Sequence, residues 1–581
     1  MATPAPTAEA AVSQEEVKPY KIHVSSKYLD LTRQKLELTR LPHENPEPKS
    51  RDWWEPKPIV ESLIDFWLEH YSWRDEETRL NATVPQFRTS LLVPGTESTA
   101  VRLHFVHAPS PHSNAVPLLL IPPFPFTNLS LAHIIRPFTD PEDATTNQPF
   151  HLVMPSLPGL GFSDALPKNT PTISATVEML DALMRRLGYR HYITTHPGPS
   201  ASSPSQIDWK LVDALARNYQ DSCLGAHFIS PPWRAPKIQE SPLDWARWRV
   251  ADTLQKPAFG YSQEDLVAWQ RAKHSRRDRL DRDPRPEEFA FDGNGFREPN
   301  TLSYALCDSP IGLLLFVLMV LRVLGPDKEL TPQELITLTE LTWLPGPEEM
   351  LRFWANCGSA EEDRQQQQQQ HQPPAGRRPK IAITTFTGDD GKGVLSIAPR
   401  PAAHFYACPG WGKARYDTVA TQRVAGKPGL LAWERPEVIL SGTRGLAKAI
   451  LAGDKRLLQT SAGALATAPL QQGAIVDGGG LGDAHAAANA SARGTTVREA
   501  AGSQSEAAPT IRKPAPGPLG AGPSSQRPAA AQRQPLVMDK MTVGRISEDQ
   551  EDDQEPSPDT VVAVGHGVAP GPALVPQIRV G

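Results

Sequence analysis

Three residues of this chain have side chains that hydrolytic reactions use, and their contexts suggest two different nucleophiles. Ser200 lies in the run Gly198–Ser202, a relaxed form of the G-x-S-x-G pattern that exposes a serine nucleophile on a sharp turn. Asp208 precedes a predicted helix over Leu211–Tyr219, and a carboxylate there could attack an electrophilic carbon to give a covalent ester. His404 is a candidate general base for activating water.

Each of these residues also has a purely structural explanation. Prolines on both sides of Gly198 constrain a strained turn, so a Ser/Pro loop is the alternative for Ser200. Asp208 belongs to a residue type that routinely caps the N-terminus of a helix. His404 could be a surface histidine that reaches a site only through a rearranged loop. These alternatives stay open at the level of sequence.

The composition excludes several classes of function. The net charge of −5 over 581 residues gives no nucleic-acid footprint. Four cysteines lie far apart without a C-x-x-C pair, so neither a disulfide framework nor a zinc site is expected. The 60 prolines are about twice the usual share of roughly 5%, and they concentrate at the ends and in insertions. We therefore expect disordered segments around a folded core.

Two stretches bear on membranes and location. Residues 1–18 are mostly Ala, Pro, Thr and Glu and lack the apolar centre of a signal peptide. The longest apolar run, Ile311–Leu324, has about 14 residues, fewer than the roughly 18 to 20 that span a bilayer, and it predicts a buried helix. We expect no signal peptide, no integral membrane segment and a cytoplasmic location.

Strand and helix patterns alternate along the chain and predict an α/β fold. Val116–Ile121 is fully apolar, as is the strand that opens Phe150–Asp164, and strands buried on both faces of a parallel sheet have this pattern. Val101–His107 alternates apolar and polar residues, which predicts an edge-type strand. Thr172–Leu187 is an amphipathic helix, and the strand Gly188–Thr195 follows it.

Four segments resemble the microsomal-type epoxide hydrolases in order and spacing. They are WRDEETRLN (Trp73–Asn81), PQFRTSL (Pro85–Leu91), PSLPGLGFSD (Pro155–Asp164) and TLSYALCDSPIGLL (Thr301–Leu314). The resemblance covers roughly Tyr20–Lys455. It implies an α/β-hydrolase fold, a mostly parallel sheet with helices on both faces, a helical lid and an N-terminal arm. It also implies hydration of an epoxide to a diol through an aspartyl ester, with no cofactor and no metal.

Composition and resemblance together divide the chain into seven predicted segments. They are a disordered lead (1–18), the N-terminal arm (19–95), the first half of the core (96–232), the helical lid (233–358), a low-complexity Gln-rich insertion (359–379), the second half of the core (380–458) and a disordered tail (459–581).

The residues that the family's chemistry requires are replaced in this sequence. Gly198 stands at the ungapped position of the aspartate nucleophile, and Gly429 stands at the position of the histidine base. The turn Pro122–Thr127 lacks the glycines of the family's oxyanion turn and is expected to be a proline-rich connector. Phe291 and Asp292 stand where a lid tyrosine should polarise the epoxide oxygen.

The remaining family positions are also unfilled or insecure. The Gln-rich insertion falls where the family has its second lid tyrosine. Tyr304 remains nearby, but we expect it to be a buried packing residue with a satisfied hydroxyl. Asp389 and Asp390 lie in a glycine-rich turn and give no secure charge-relay acid.

The sequence therefore predicts an epoxide hydrolase family protein that is catalytically impaired or inactive. Three alternatives remain: an active epoxide hydrolase that uses Asp208 as a relocated nucleophile, a serine hydrolase that uses Ser200, and a pseudoenzyme that binds a partner or a small apolar molecule in the cleft. Fold alone does not decide among them, because function depends on the site.

Overall fold

The computed structural model describes residues 16–43, 56–95, 99–198, 203–239, 241–282, 298–324, 330–357, 378–388 and 405–459, without the side chains of 275–282 and 323. All of these residues belong to the first of the two units into which the chain divides, residues 1–480. The segments predicted as a disordered lead, a Gln-rich insertion and a tail lie almost entirely outside the described residues.

A single mixed sheet lies at the centre of the described residues. Its strands are β1 (Lys18–Pro19), β2 (Gln86–Leu92), β3 (Ala100–Ala108), β4 (Val116–Leu120), β5 (Phe150–Pro155), β6 (Tyr192–Thr195), β7 (Cys223–Ile229), β8 (Lys380–Phe386) and β9 (Asp417–Val424). They run in the order β1-β2-β3-β5-β4-β6-β7-β8-β9. The pairs from β5 to β9 are parallel, and the pairs that join β1, β2, β3 and β5 are antiparallel.

Strand β3 corrects one prediction. Its alternating pattern predicted an edge strand, but β3 lies between β2 and β5 and is almost entirely buried. Arg102 of the pattern is exposed, but its two histidines are interior and each has a bonded ring nitrogen. His104 Nε2 pairs with Gln86 Oε1 at 3.1 Å, and His107 Nε2 pairs with the Tyr189 hydroxyl at 2.9 Å. These pairs satisfy one ring nitrogen of each histidine and so reduce the cost of burial, while His104 Nδ1 is buried without a hydrogen-bond partner among the described residues.

Helices pack on both faces of the sheet. They are α1 (Ser26–Glu37), α2 (Lys57–Glu69), α3 (Trp73–Thr83), α4 (Ile135–Thr139), α5 (Thr172–Arg186), α6 (Ile207–Asn218), α7 (Pro242–Leu254), α8 (Gln263–Arg282), α9 (Pro299–Asp308), α10 (Pro310–Leu324), α11 (Pro332–Trp343), α12 (Glu348–Cys357), α13 (Leu431–Glu434) and α14 (Pro436–Leu451). Leu180 of α5 and Leu211 of α6 enter one apolar cluster, whereas Leu446 of α14 enters the other. The predicted mostly parallel sheet flanked by helices is confirmed.

The helical insertion, which we define as residues 242–357, comprises α7–α12 and lies between β7 and β8 in the chain. The apolar run of α10 is largely buried, with Leu313 and Leu314 fully inside. Within the described ranges, no single helix has the length and apolar character to cross a bilayer. Helices α9 and α10 pass that test only when taken together, across a bend of 118°. The predicted lid limits of 233 and 358 remain predictions.

The N-terminal arm owes its shape to polar residues of the WRDEETRLN segment. Glu77 Oε2 accepts hydrogen bonds from the backbone N–H of Val24 at 2.8 Å and from the Trp73 indole at 3.1 Å. Asn81 accepts from the N–H of Ile22 and donates to its carbonyl, both at 2.8 Å. These bonds fix an extended strand of the arm against α3, because they satisfy backbone groups that no sheet partner reaches.

Candidate functional site

The ends of β4 and β6 enclose a cavity at the carboxyl edge of the sheet. The two strands pair in parallel, with Leu120 opposite Thr195, so the segments that follow them diverge from the same edge. Ligands of open α/β sheets bind at this edge. The cavity is narrow, with about 20 Å³ available to the centre of a water-sized molecule, and it is lined by Pro123, Phe124, Pro197, Gly198, Ser203, Asp208, Leu324, Gly429, Leu430, Leu431, Ala432 and Trp433.

Asp208 is the one titratable side chain among the described lining residues. It is the second residue of α6, and Gln206 occupies the N-cap position, so the helix-cap alternative for Asp208 is wrong. Ser205 and Gln206 have φ values of 46° and 55°. Such left-handed values cost about 1–2 kcal/mol for each residue with a side chain. The chain thus enters the helix through a sharp turn built without glycine, and Asp208 is left only 1% exposed.

The turn after β4 supplies the hydrogen-bond partner of Asp208. The backbone N–H of Phe124 donates to Asp208 Oδ1 at 3.0 Å, across 84 positions of sequence. Residues 122, 123 and 125 are prolines and have no N–H, so Phe124 provides the one donor of that stretch. The turn is therefore more than a proline-rich connector, since it keeps a backbone donor and directs it at the carboxyl group. In the sequence, the only sign of this donor is that Phe124 interrupts the run of prolines.

Gly198, the ungapped nucleophile position, faces the same carboxyl group. A Cβ atom placed on Gly198 would lie 3.6 Å from Asp208 Oδ2. Gly198, which lacks a side chain, and the carboxyl group of Asp208 are therefore direct neighbours in the fold. The structure brings Asp208 to the place where the resemblance expects a nucleophile.

The environment of Asp208 controls its protonation. Burial raises the pKa of its carboxyl group from 3.8 to about 7, and the hydrogen bond from Phe124 opposes this rise only in part. Desolvation dominates because none of the described residues that line the cavity is a cation that could compensate for the lost water. The side chain is accordingly neutral in acid and becomes a carboxylate as the pH passes about 7.

Gly429, the position of the family's base, lies on the same cavity wall, with φ at +61°. No histidine occurs among the described residues that line the cavity. Two histidines contact the lining from outside. His196 Nε2 accepts a hydrogen bond from the Ile229 N–H at 3.2 Å, and burial lowers the pKa of His196 to about 4. His133 Nε2 donates to the Ala432 carbonyl at 2.8 Å.

Several residues singled out by sequence lie outside the described residues. They are Ser200, Phe291, Asp292, Asp389, Asp390 and His404. The expectation for Tyr304 is wrong, because this residue of α9 is 82% exposed rather than buried. Its neighbours Ser303 and Leu306 are the buried ones, so the helix turns the tyrosine outward.

A second cavity adjoins the other side of the turn after β4. It is narrower still, with about 10 Å³ available to the centre of a water-sized molecule, and it is lined by Pro125, Phe126, Leu313, Phe316, Val317, Val320, Thr342 and Met350. The lining is almost wholly apolar and comes mainly from α10 of the helical insertion. In the described ranges, no group of three or more His, Cys, Asp or Glu side chains could hold a metal ion.

Comparison with known proteins finds one family throughout. The family model described as "Epoxide hydrolase N terminus" matches residues 17–131. A Stigmatella aurantiaca protein named "Putative epoxide hydrolase" is 26% identical over 359 residues, which cover 59% of this chain and 70% of that protein. "Epoxide hydrolase 1" of Sus scrofa is 26% identical over 356 residues, or 58% of this chain and 71% of that protein.

Among solved structures, the juvenile hormone epoxide hydrolase of the silkworm Bombyx mori has a TM-score of 0.57 at 18% identity. The match covers 76% of this chain and 96% of that one. At this identity the likeness concerns the fold, and it confirms the predicted α/β-hydrolase fold.

Proposed function

Because the chain belongs to the epoxide hydrolase family, we propose that it binds a small apolar epoxide in the Asp208 cavity and opens it, but hydrolyses the resulting ester poorly. The observation that carries this proposal is the placement of Asp208. Its carboxyl group is buried beside Gly198, and the Phe124 N–H holds one oxygen at 3.0 Å. An oriented carboxylate in a small, mostly apolar cavity suits attack on an epoxide carbon.

The first step, formation of the ester, needs only the Asp208 carboxylate, the epoxide and water. Asp208 in its ionised form attacks an epoxide carbon, so an ester C–O bond forms while the ring C–O bond breaks. The alkoxide that results takes a proton from water, since neither lid tyrosine of the family has a counterpart in this sequence. The Phe124 N–H engages Oδ1, and Oδ2, which faces Gly198, is the oxygen positioned for attack.

The pKa of Asp208 sets when this step can occur. The attacking species is the carboxylate, and burial raises the pKa of this group to about 7. Ester formation should therefore be slow at pH 5.5 and should increase as the pH rises through about 7. A surface carboxylate of ordinary pKa would show no such dependence over this range.

The second step needs an activated water, and here the site is deficient. Gly429 occupies the wall where the family has its histidine, and the described lining contains no imidazole. Loss of one member of a catalytic triad typically lowers the rate by about 10⁴ or more. The ester should consequently accumulate, and sustained turnover should be close to background.

The polarity of the lining defines the ligand class. Apart from Asp208 and Ser203, the described lining of the Asp208 cavity is apolar or backbone, and the adjoining second cavity is apolar except for Thr342. An epoxide with a compact hydrocarbon or aryl substituent, such as styrene oxide, matches this surface. A charged or strongly hydrated ligand would lose its hydration without finding partners.

Intact-mass spectrometry with styrene oxide tests the proposal. We expect one added epoxide per chain after incubation at pH 8.5, much less at pH 5.5, and localisation of the adduct to the peptide that contains Asp208. Diol formation should stay near background. Asp208→Asn should abolish the adduct, whereas Ser200→Ala, a matched loss of the other nucleophile candidate, should leave it unchanged.

Other results would change the conclusion. Steady diol formation that Asp208→Ala abolishes and His404→Ala slows would show an active hydrolase with a base outside the described residues. An adduct on Ser200 would favour the serine hydrolase. Absence of any adduct while styrene oxide still binds would identify a ligand-binding pseudoenzyme.

A further inference from the structure

We propose that the outer face of the helical insertion docks on an anionic lipid bilayer. The surface, which we call the α7 face, consists of Leu243, Val250 and Leu254 of α7 together with Phe259 in the loop that follows. This proposal concerns a surface of the insertion and does not rest on the chemistry of Asp208.

The apolar side chains of the α7 face are exposed and share one side of the helix. Leu243, Val250, Leu254 and Phe259 are 61%, 43%, 60% and 59% exposed. The three α7 positions are separated by seven and four residues, which places them on one helical stripe. Scattered single apolar residues are normal on a protein surface, but a continuous stripe of this kind indicates an interaction site.

Packing on the opposite side holds this face rigidly. Trp248 and Ala251 of α7 are buried with Tyr261 in one small cluster, and the Trp248 and Tyr261 rings lie 4.9 Å apart. The N–H of Tyr261 donates to the Ala258 carbonyl at 3.0 Å and closes the loop. Phe259 at the tip has a φ of 54°, a left-handed value that its side chain disfavours. The protein thus retains a large exposed aromatic residue at a strained position.

The charges around the α7 face complement an anionic surface. Residues 234–260 contain five basic and three acidic residues, within a chain whose net charge is −5. Of the acidic ones, Asp252 pairs with Lys273 at 3.0 Å and Asp244 accepts a hydrogen bond from Ser241 at 2.7 Å. Arg247 pairs with Asp244 at 3.4 Å, whereas Arg249 and Lys256 are exposed on or beside the stripe.

Leucine, valine and phenylalanine flanked by arginine and lysine are typical of helices that lie in the headgroup region of a membrane. Each basic residue near an anionic surface contributes about 1 kcal/mol of attraction. The α7 face would therefore bind through buried apolar side chains and through charge attraction together.

Co-sedimentation of the full chain with lipid vesicles tests this proposal. We expect binding to vesicles of phosphatidylcholine with phosphatidylserine, weaker binding at high salt, and little binding to phosphatidylcholine alone. Replacing Leu254 and Phe259 by serine should weaken binding at least about tenfold, because each apolar side chain loses its burial. Arg249→Gln should weaken it about fivefold. Leu38→Ser, at the 84% exposed C-cap of α1, is the matched control and should have no effect.

Several outcomes would overturn the proposal. Equal binding to both kinds of vesicle, or unchanged binding by the Leu254 and Phe259 double variant, would remove the α7 face as the docking surface. A dimer in sedimentation velocity that this variant disperses, without vesicle binding by the wild type, would assign the face to a second copy of the chain. Asp208→Asn should bind vesicles like the wild type, so failure here is distinguishable from failure of the Asp208 chemistry.

Discussion

Replacing Asp208 by asparagine should stabilise the fold at neutral pH and have little effect in acid. The substitution keeps the size and shape of the side chain, and the remaining oxygen can still accept the hydrogen bond from Phe124. It removes the possibility of a negative charge in a position that is 1% exposed. The expected gain therefore comes from the charge alone.

The magnitude follows from the pKa of the carboxyl group. Burial raises this pKa from 3.8 to about 7, so the folded state prefers the protonated form. Each pKa unit corresponds to about 1.4 kcal/mol. The contribution of the protonated group is fully present below pH 3.8 and is lost as the pH rises to about 7, where the loss reaches about 4 kcal/mol. Above pH 7 the penalty stays constant, because both states are then ionised.

Urea unfolding of the wild type and of Asp208→Asn at pH 4, 6 and 8 measures this difference directly. The free energy of unfolding of the variant should exceed that of the wild type by about 3 kcal/mol at pH 6 and by about 4 kcal/mol at pH 8, with a small difference at pH 4. Asp30→Asn, at an exposed position of α1, is the control and should show no such trend. A difference that is the same at all three pH values would refute the reasoning, because the carboxyl group would then be ionised without penalty in the fold.

Two further predictions concern buried and missing histidines. The fold should lose stability as the pH falls from about 6.5 towards 4, because burial lowers the pKa of five histidines to about 3 or 4: His104, His107, His151, His196 and His227. Each histidine lowers the free energy of unfolding by about 2 kcal/mol by pH 5. The five losses together exceed the gain of about 2 kcal/mol that Asp208 gives over the same pH range. A thermal unfolding midpoint that is unchanged between pH 7 and pH 5 would contradict this prediction. Gly429→His should speed hydrolysis of a preformed Asp208 ester at a cost of about 1–2 kcal/mol in stability, since residue 429 has a φ of +61°. Gly429→Ala has the same backbone penalty without an imidazole, and equal ester lifetimes in the two variants would exclude a role for the histidine.

The sheet could be predicted from sequence because its central strands have a recognisable local pattern. Val116–Leu120 and Phe150–Pro155 are apolar throughout and are buried throughout. The same local logic failed for β3 and for Tyr304. An interior histidine and an exposed polar residue give the same alternating pattern, and only the partners Gln86 and Tyr189 distinguish them. Similarity to a motif placed Tyr304 correctly on a helix but did not reveal which side of that helix faces solvent.

The candidate site was less predictable because it is made by contacts between distant parts of the chain. The bond between Phe124 and Asp208 joins residues 84 positions apart, and no local pattern at either end indicates it. Composition suggested that a turn of prolines could not donate hydrogen bonds. Phe124 is the one residue among these prolines that has a backbone N–H, and the fold determines where that N–H points.

Gly198 and Asp208 complement each other at this site. Residue 198 has no side chain, and the carboxylate of Asp208 faces the space next to it. A Cβ atom on Gly198 would lie 3.6 Å from Asp208 Oδ2, so a carboxylate on residue 198 would extend towards the one on Asp208. Two carboxylates this close in a buried cavity cannot both ionise without a large repulsion. Glycine at 198 leaves the space and the charge to Asp208. The sharp, glycine-free turn at Ser205 and Gln206 then brings the start of α6 back to the edge of β6. The carboxyl group that we propose as the nucleophile thereby comes from the helix that follows the strand, while no histidine occurs near Gly429 among the described residues that line the cavity.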